Sequence, residues 1–175
     1  MLLVESLSVQ LGNSTLMKVV LILISVFIGQ NLACPSGIGW ISGGESCYLQ
    51  GPHALDWYQS VQFCNLLGAK LAEIETANEN VIIATILGYE GPWYWIGLHD
   101  VAGSWVWNSS GKTASYTNWD PTNGEPSPSG SCVVLGAEAG PYWRSVDHGC
   151  YTTHYGDVGF FPLCEAPNYF KDSIV

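Results

Sequence analysis

The chain reads as an α+β domain. Two stretches with apolar residues at helical spacing lie in its first half, short aromatic and β-branched pieces separated by Gly, Asn and Ser fill the second, and six cysteines run through both. Helices followed by a run of strands, rather than alternating with them, belong to the α+β class. The composition is that of a folded chain: 13% of the 175 residues are aromatic and 11% are charged, so apolar burial can offset chain entropy. Five Lys and Arg against 15 Asp and Glu give a net charge of −10, which argues against binding a phosphate backbone. The length suits one domain.

The first element in order is an export signal. Met17-Lys18 precedes the apolar run Val19–Ile28, and Gly29 to Ala33 follow with small and polar residues. A membrane-spanning helix needs about 20 apolar residues, and this run falls well short, so no membrane insertion is expected. Residues 1–16 contain Glu5 and no Lys or Arg, unlike the basic start of a leader, so Met17 is the expected first residue of the precursor. Cleavage is expected after Ala33, leaving residues 34–175 as the secreted, extracellular domain. The leader carries one Lys and one Glu, so the charge of −10 is unchanged by its removal. All six cysteines remain, and an even number in an exported domain favours three disulfides over zinc, because no C-x-x-C pair is present. Spacing alone does not choose their pairing.

Cys34 to Gln50 mixes Gly, Ser and aromatic residues, which suits a hairpin. From Ala54 to Leu67, Leu55, Trp57, Val61, Cys64 and Leu67 give an apolar face, and Gly68 stands at the C-terminal cap position. Thr76-Ala77-Asn78-Glu79 matches a capping box before a second helix that reaches Leu87 and stops at Gly88. Strands are expected at Trp93–Leu98, Ser104–Trp107 and Cys132–Leu135. Thr117 to Ser131 holds three prolines and two glycines, which forbids regular structure and suits a long ordered loop of the kind that carries function. Glu73, Glu75 and Glu79 are expected on the surface near helix N-termini, where negative charge is favourable.

Catalysis is not indicated. His53, His99, His148 and His154 are far apart in sequence, no G-x-S-x-G motif occurs, and disulfide-bonded cysteines leave no thiol nucleophile. The chain is expected to bind rather than to turn over a substrate. Trp57, Trp95, Trp105 and Trp107 follow inward-facing patterns, whereas Tyr116, Trp119, Tyr142 and Trp143 flank the long loop and are candidates for ligand contact. Asn108-Ser109-Ser110 is an N-glycosylation sequon in an expected turn.

Several motifs in order, Cys34-Pro35, Trp40, Cys47-Tyr48, Gly68-Ala69-Lys70-Leu71-Ala72, Trp95-Ile96-Gly97-Leu98, Asn118-Trp119, Glu125-Pro126, Cys132-Val133 and Phe161-Pro162-Leu163-Cys164-Glu165, resemble those of C-type lectin domains. The resemblance spans nearly all of residues 34 to 165. It implies a C-type lectin-like fold of the long form, with two helices, antiparallel sheets and a ligand-binding loop. It also implies disulfides Cys34 to Cys47, Cys64 to Cys164 and Cys132 to Cys150.

Sugar-binding members hold calcium in the long loop, and two sugar hydroxyls complete its shell. Calcium takes roughly 6 to 8 oxygen ligands, so carboxylates and amides are the residues to seek. Carried over by position, the resemblance makes Glu125 the first carboxylate ligand and Pro126 the cis-proline, and puts Ser127 where Asn or Asp belongs. Gly130 stands where a second carboxylate is expected. Val146-Asp147 stands for an Asn-Asp pair, and Asp100 alone remains of an auxiliary site. The metal set is thus Glu125 and Asp147, with Ser127 a weak hydroxyl ligand, and the fewer charged oxygens imply weak or absent calcium binding. Asp120, Glu138 and Asp157 are nearby carboxylates that a different loop path could bring in. The resemblance implies a carbohydrate-binding protein for cell-surface or microbial glycans, with Glu125 pointing to mannose-type sugars. The alternative is a calcium-independent module that recognises a protein surface.

Overall fold

The computed structural model describes residues 32–36, 39–88, 91–136, 140–146, 149–156 and 158–170. Of the expected leader only Leu32 and Ala33 are described, and Met17 lies outside the described residues, as do Asp147, His148, Glu138 and Asp157. Residues 33–169 form one compact unit.

The hairpin forms from β1 (Ile41–Gly43) and β2 (Ser46–Gln50), joined by a turn in which Gly44 takes a positive φ of 76°. Helix α1 (Trp57–Leu66) starts later than the apolar pattern suggests. Asp56 ends the extended segment there: its carboxylate accepts the Gln59 amide at 2.7 Å and the Gln59 side chain accepts the Asp56 amide at 3.2 Å, a reciprocal cap. Gly68 follows the helix at φ 68°, the left-handed position that a side chain would strain. After β3 (Lys70–Leu71), Thr76 caps α2 (Ala77–Leu87) by accepting the Glu79 amide at 3.1 Å. Glu79 does not complete that box. Its two oxygens accept the Glu75 amide and the Tyr48 hydroxyl, each at 2.8 Å, which ties α2 to the hairpin.

The strands β4 (Trp93–Val101), β5 (Ser104–Trp107), β6 (Cys132–Gly136), β7 (Tyr142–Val146), β8 (His154–Tyr155) and β9 (Val158–Pro167) complete the sheet. Its main path runs β1-β2-β9-β4-β6-β7, with β3 and β8 on β9 and β5 on β4. The sheet is mixed rather than antiparallel throughout. β9 lies parallel to β4, with Phe160 opposite Trp93 and Pro162 opposite Trp95, because it inserts between the N-terminal hairpin and the middle strands.

Alternation along these strands divides the interior into two layers. Tyr94, Ile96, Leu98, Val133, Leu135 and Trp143 pack on one face with Ile83 and Leu87 of α2. Trp95, Val134, Val146 and Phe160 pack on the other with Trp57 and Cys64 of α1. Three disulfides cross-link the unit, Cys34 to Cys47, Cys64 to Cys164 and Cys132 to Cys150, with Cα separations of 5.5, 5.4 and 5.4 Å, and the last two pairs lie within the layer of Trp95 and Phe160.

Glu73 departs from its expected surface position and is 3% exposed. Lys70 bridges it to Glu165 at 3.1 and 3.3 Å, and one Glu73 oxygen accepts the amides of Ser109 and Ser110 at 2.9 and 3.0 Å. Burial alone would raise its carboxyl pKa, but these amides and Lys70 outweigh it and leave the pKa lowered.

Candidate functional site

β7 is the last strand of the sheet, so one row of its backbone groups would face solvent. The long loop covers that edge. The Trp143 amide donates to Asn118 carbonyl at 2.8 Å, the Asp120 amide donates to Trp143 carbonyl at 3.0 Å, and the Ser145 amide donates to Glu125 Oε2 at 2.9 Å. Glu125 therefore serves where a neighbouring strand's carbonyl would stand.

The same oxygen also accepts the Ser145 hydroxyl at 2.6 Å and the Ser127 amide at 3.1 Å, while Ser145 Oγ itself accepts the Ser127 amide at 2.7 Å. This closed set fixes the loop around the cis Glu125-Pro126 bond. Ser127 Oγ pairs with Ser129 Oγ at 3.2 Å. Gly130 is buried against Ser145, and a Cβ there would overlap the Ser145 side chain. The position at which the resemblance looks for a second carboxylate thus has no room for a side chain.

Asp120 further stabilises the loop through three other residues. Asp120 is 3% exposed and accepts from Thr122 Oγ1 at 2.6 Å, Thr122 amide at 2.9 Å, Asn123 Nδ2 at 2.7 Å and Arg144 Nε at 2.8 Å. The Thr122 hydroxyl and amide, then Asn123 and Arg144, hold its carboxyl well below the usual carboxylate range. Arg144 Nη2 adds an ion pair at 2.7 Å, and its guanidinium lies 4.5 Å from the centre of the Trp93 ring.

The described residues do not fit a calcium ion at this loop. Glu125 Oε2 faces three donors, Gly130 admits no carboxylate, Val146 is packed in the core, and Arg144 already neutralises Asp120. Among the described residues no group of three or more His, Cys, Asp or Glu is arranged to hold a metal.

The expected ligand contacts separate in space. Glu125 and Ser127 meet through Ser145, and Asp147 lies outside the described residues. Trp143 is corrected from a contact residue to a core residue, for it is 0% exposed. Its indole donates to Asn80 Oδ1 at 2.9 Å, and Trp107, Tyr116 and Trp119 pack around it with ring centres 5.9, 5.6 and 6.0 Å away. Trp119 is half-buried between Trp143 and Trp105, the latter 4.9 Å away, so it anchors the loop. Tyr142 is half-buried opposite Gly136.

A cleft of about 580 Å³ opens beside Glu125. Register puts Trp93, Phe160, Val134 and Arg144 on the same sheet face, and these residues line it. Asn123 and Glu125 come from the loop, and Thr152, His154 and Gly156 from the segment before β9. No sequence motif singles out Arg144, Ser145 or Asn123. The available signal was that Arg144 is the sole arginine of the chain, two residues after a Tyr-Trp strand start.

The family model of the lectin C-type domain matches residues 53–155. The chain belongs to the C-type lectin domain family. It is 26% identical to a perlucin-like protein of Mytilus galloprovincialis over 122 residues, which cover 66% of this chain and 71% of the mussel protein. Against longer relatives, such as human C-type lectin domain family 10 member A, it spans 29% of the length. Among solved structures, a calcium-independent type II antifreeze protein is 26% identical with a TM-score of 0.64, covering 79% of this chain and 97% of that one. A Ca2+-independent C-type lectin of Saxidomus purpuratus is 27% identical with a TM-score of 0.63, covering 76% and 93%.

Proposed function

We propose that the chain is a secreted carbohydrate-binding protein whose lectin domain works without calcium. One observation carries the reading: Glu125, the carboxylate that would begin a calcium site, is committed to the edge of β7 through Ser145 and Ser127. Similarity to calcium-independent family members supports it. The domain would be residues 34–175 after removal of a leader at 1–33, and no described helix is long and apolar enough to cross a membrane. Its role is binding and not catalysis. With calcium excluded from recognition, Glu125 no longer selects mannose-type sugars by the family's rule.

The test is retention of the disulfide-bonded protein on immobilised mannan, N-acetylglucosamine and galactose, each in calcium and in a chelator. Equal retention under both conditions on at least one resin is expected. Retention lost in the chelator would overturn the calcium-independent reading, and no retention on any resin would favour a protein ligand.

Asn108 is proposed as a glycosylated position. It is exposed in the turn after β5, where Glu73 holds the amides of Ser109 and Ser110. Protein from a eukaryotic secretory host should lose mass on glycosidase treatment, and Asn108→Gln should abolish that loss.

A further inference from the structure

We infer that the cleft between the loop, β7 and the segment before β9 is the carbohydrate site, and that it binds a neutral saccharide through direct hydrogen bonds. The inference rests on the proposed function and assigns it to the flank of the loop that faces β7 and the segment before β9.

The volume of about 580 Å³ lies within the roughly 300–1,000 Å³ range of small-ligand sites. Four of the polar groups around it each keep one polar atom outside the described hydrogen bonds. Asn123 donates its amide nitrogen to Asp120 and Thr122, which turns recognition over to its oxygen, an acceptor. Arg144 pairs Nε and Nη2 with Asp120 and keeps Nη1, a donor. Glu125 takes all its described hydrogen bonds on Oε2, and Oε1 remains an acceptor. His154 pairs Nδ1 with Thr153 Oγ1 at 2.9 Å, so Nε2 is its free ring nitrogen.

Donors and acceptors set around an apolar base of Trp93, Val134 and Phe160 suit a ligand whose hydroxyls act as both and whose ring has an apolar face. Charge narrows the class. Arg144 is charge-paired with Asp120, so Glu125 is the lining charge without an ion-pair partner among the described residues, and it disfavours an anion. A concave site of this size also suits a small polyol better than a flat protein surface.

The experiment uses Thr152→Trp, which fills the cleft from its rim, and His154→Ala, which removes a hydrogen-bonding group. Thr152 is half-buried and His154 exposed, and neither belongs to the hydrogen-bonded set of Glu125, Ser127 and Ser145. Affinity for whichever of the three sugars the wild type retains is measured in chelator, alongside thermal unfolding. At least a tenfold loss in both variants, with the unfolding temperature unchanged, is the expected result. Unchanged affinity in both would overturn the cleft as the site while leaving carbohydrate binding intact. No sugar retained by the wild type would overturn the proposed function and this inference together.

Discussion

Gly130 shows at the residue scale why the loop has one geometry. Its missing side chain lets Ser145 approach Glu125, so Gly130→Ala should destabilise the domain by about 1–3 kcal/mol through overpacking. Urea unfolding measures this, and Gly130→Asp should gain no calcium-dependent stabilisation. Asp120 gives a pH prediction with a definite sign. Its folded pKa lies below its unfolded one, so its contribution is present above the ordinary carboxylate range and is lost as pH falls through it towards the folded value. Protection of the amides in residues 118–127, taken relative to the intrinsic exchange rate at each pH, should fall below about pH 4. Asp120→Asn should show fast exchange at neutral pH and a weaker acid dependence.

At the scale of elements, the long loop and β7 form one unit. Trp143 pins the loop from the core side through Asn80, whose amide also donates to Pro141 carbonyl at 3.1 Å. Asn80→Ala leaves the buried indole N–H without its partner, so a loss of about 1–3 kcal/mol is expected. Near-UV circular dichroism should change with it, because the aromatic cluster around Trp143 loosens. Asp56→Ala removes the cap of α1 and should lower stability by about 0.5–2 kcal/mol without changing that spectrum. The start of α2 was legible in sequence because its Thr76 cap is local, whereas the apolar pattern put the start of α1 at Ala54 and did not reveal the Asp56 cap that begins it at Trp57. β7 and β9 were not legible. Arg144 and Ser145 interrupt the apolar run of β7, and Pro162 argues against an interior strand, yet its carbonyl still accepts the Gly51 amide at 2.8 Å.

The whole molecule is held by cross-links of very different span. Cys64 to Cys164 joins residues 100 apart, against 13 and 18 for the others. Chain-entropy reasoning assigns a loop of that length about 4.7 kcal/mol and a loop of about 15 residues about 3 kcal/mol. Replacing Cys64 and Cys164 together by Ser should therefore lower the unfolding free energy most of the three pairs, as read by chemical denaturation. The ordering would be refuted by a larger loss from the Cys132 and Cys150 pair.

Composition, caps, cysteine number and the ordered motifs determined the fold class, the two helices and the family, because each depends on short-range pattern or on a fixed order along the chain. Glu125 and Ser127 were visible as candidates on the same ground. What the tertiary structure alone decided is what those residues touch. An edge strand must have its backbone groups satisfied, and the loop that does so brings Ser145 to Glu125, Arg144 to Asp120 and Trp143 into the core. No local pattern encodes contacts between residues about 20 positions apart, and the cleft exists only where β4, β6, β7 and β9 share a face.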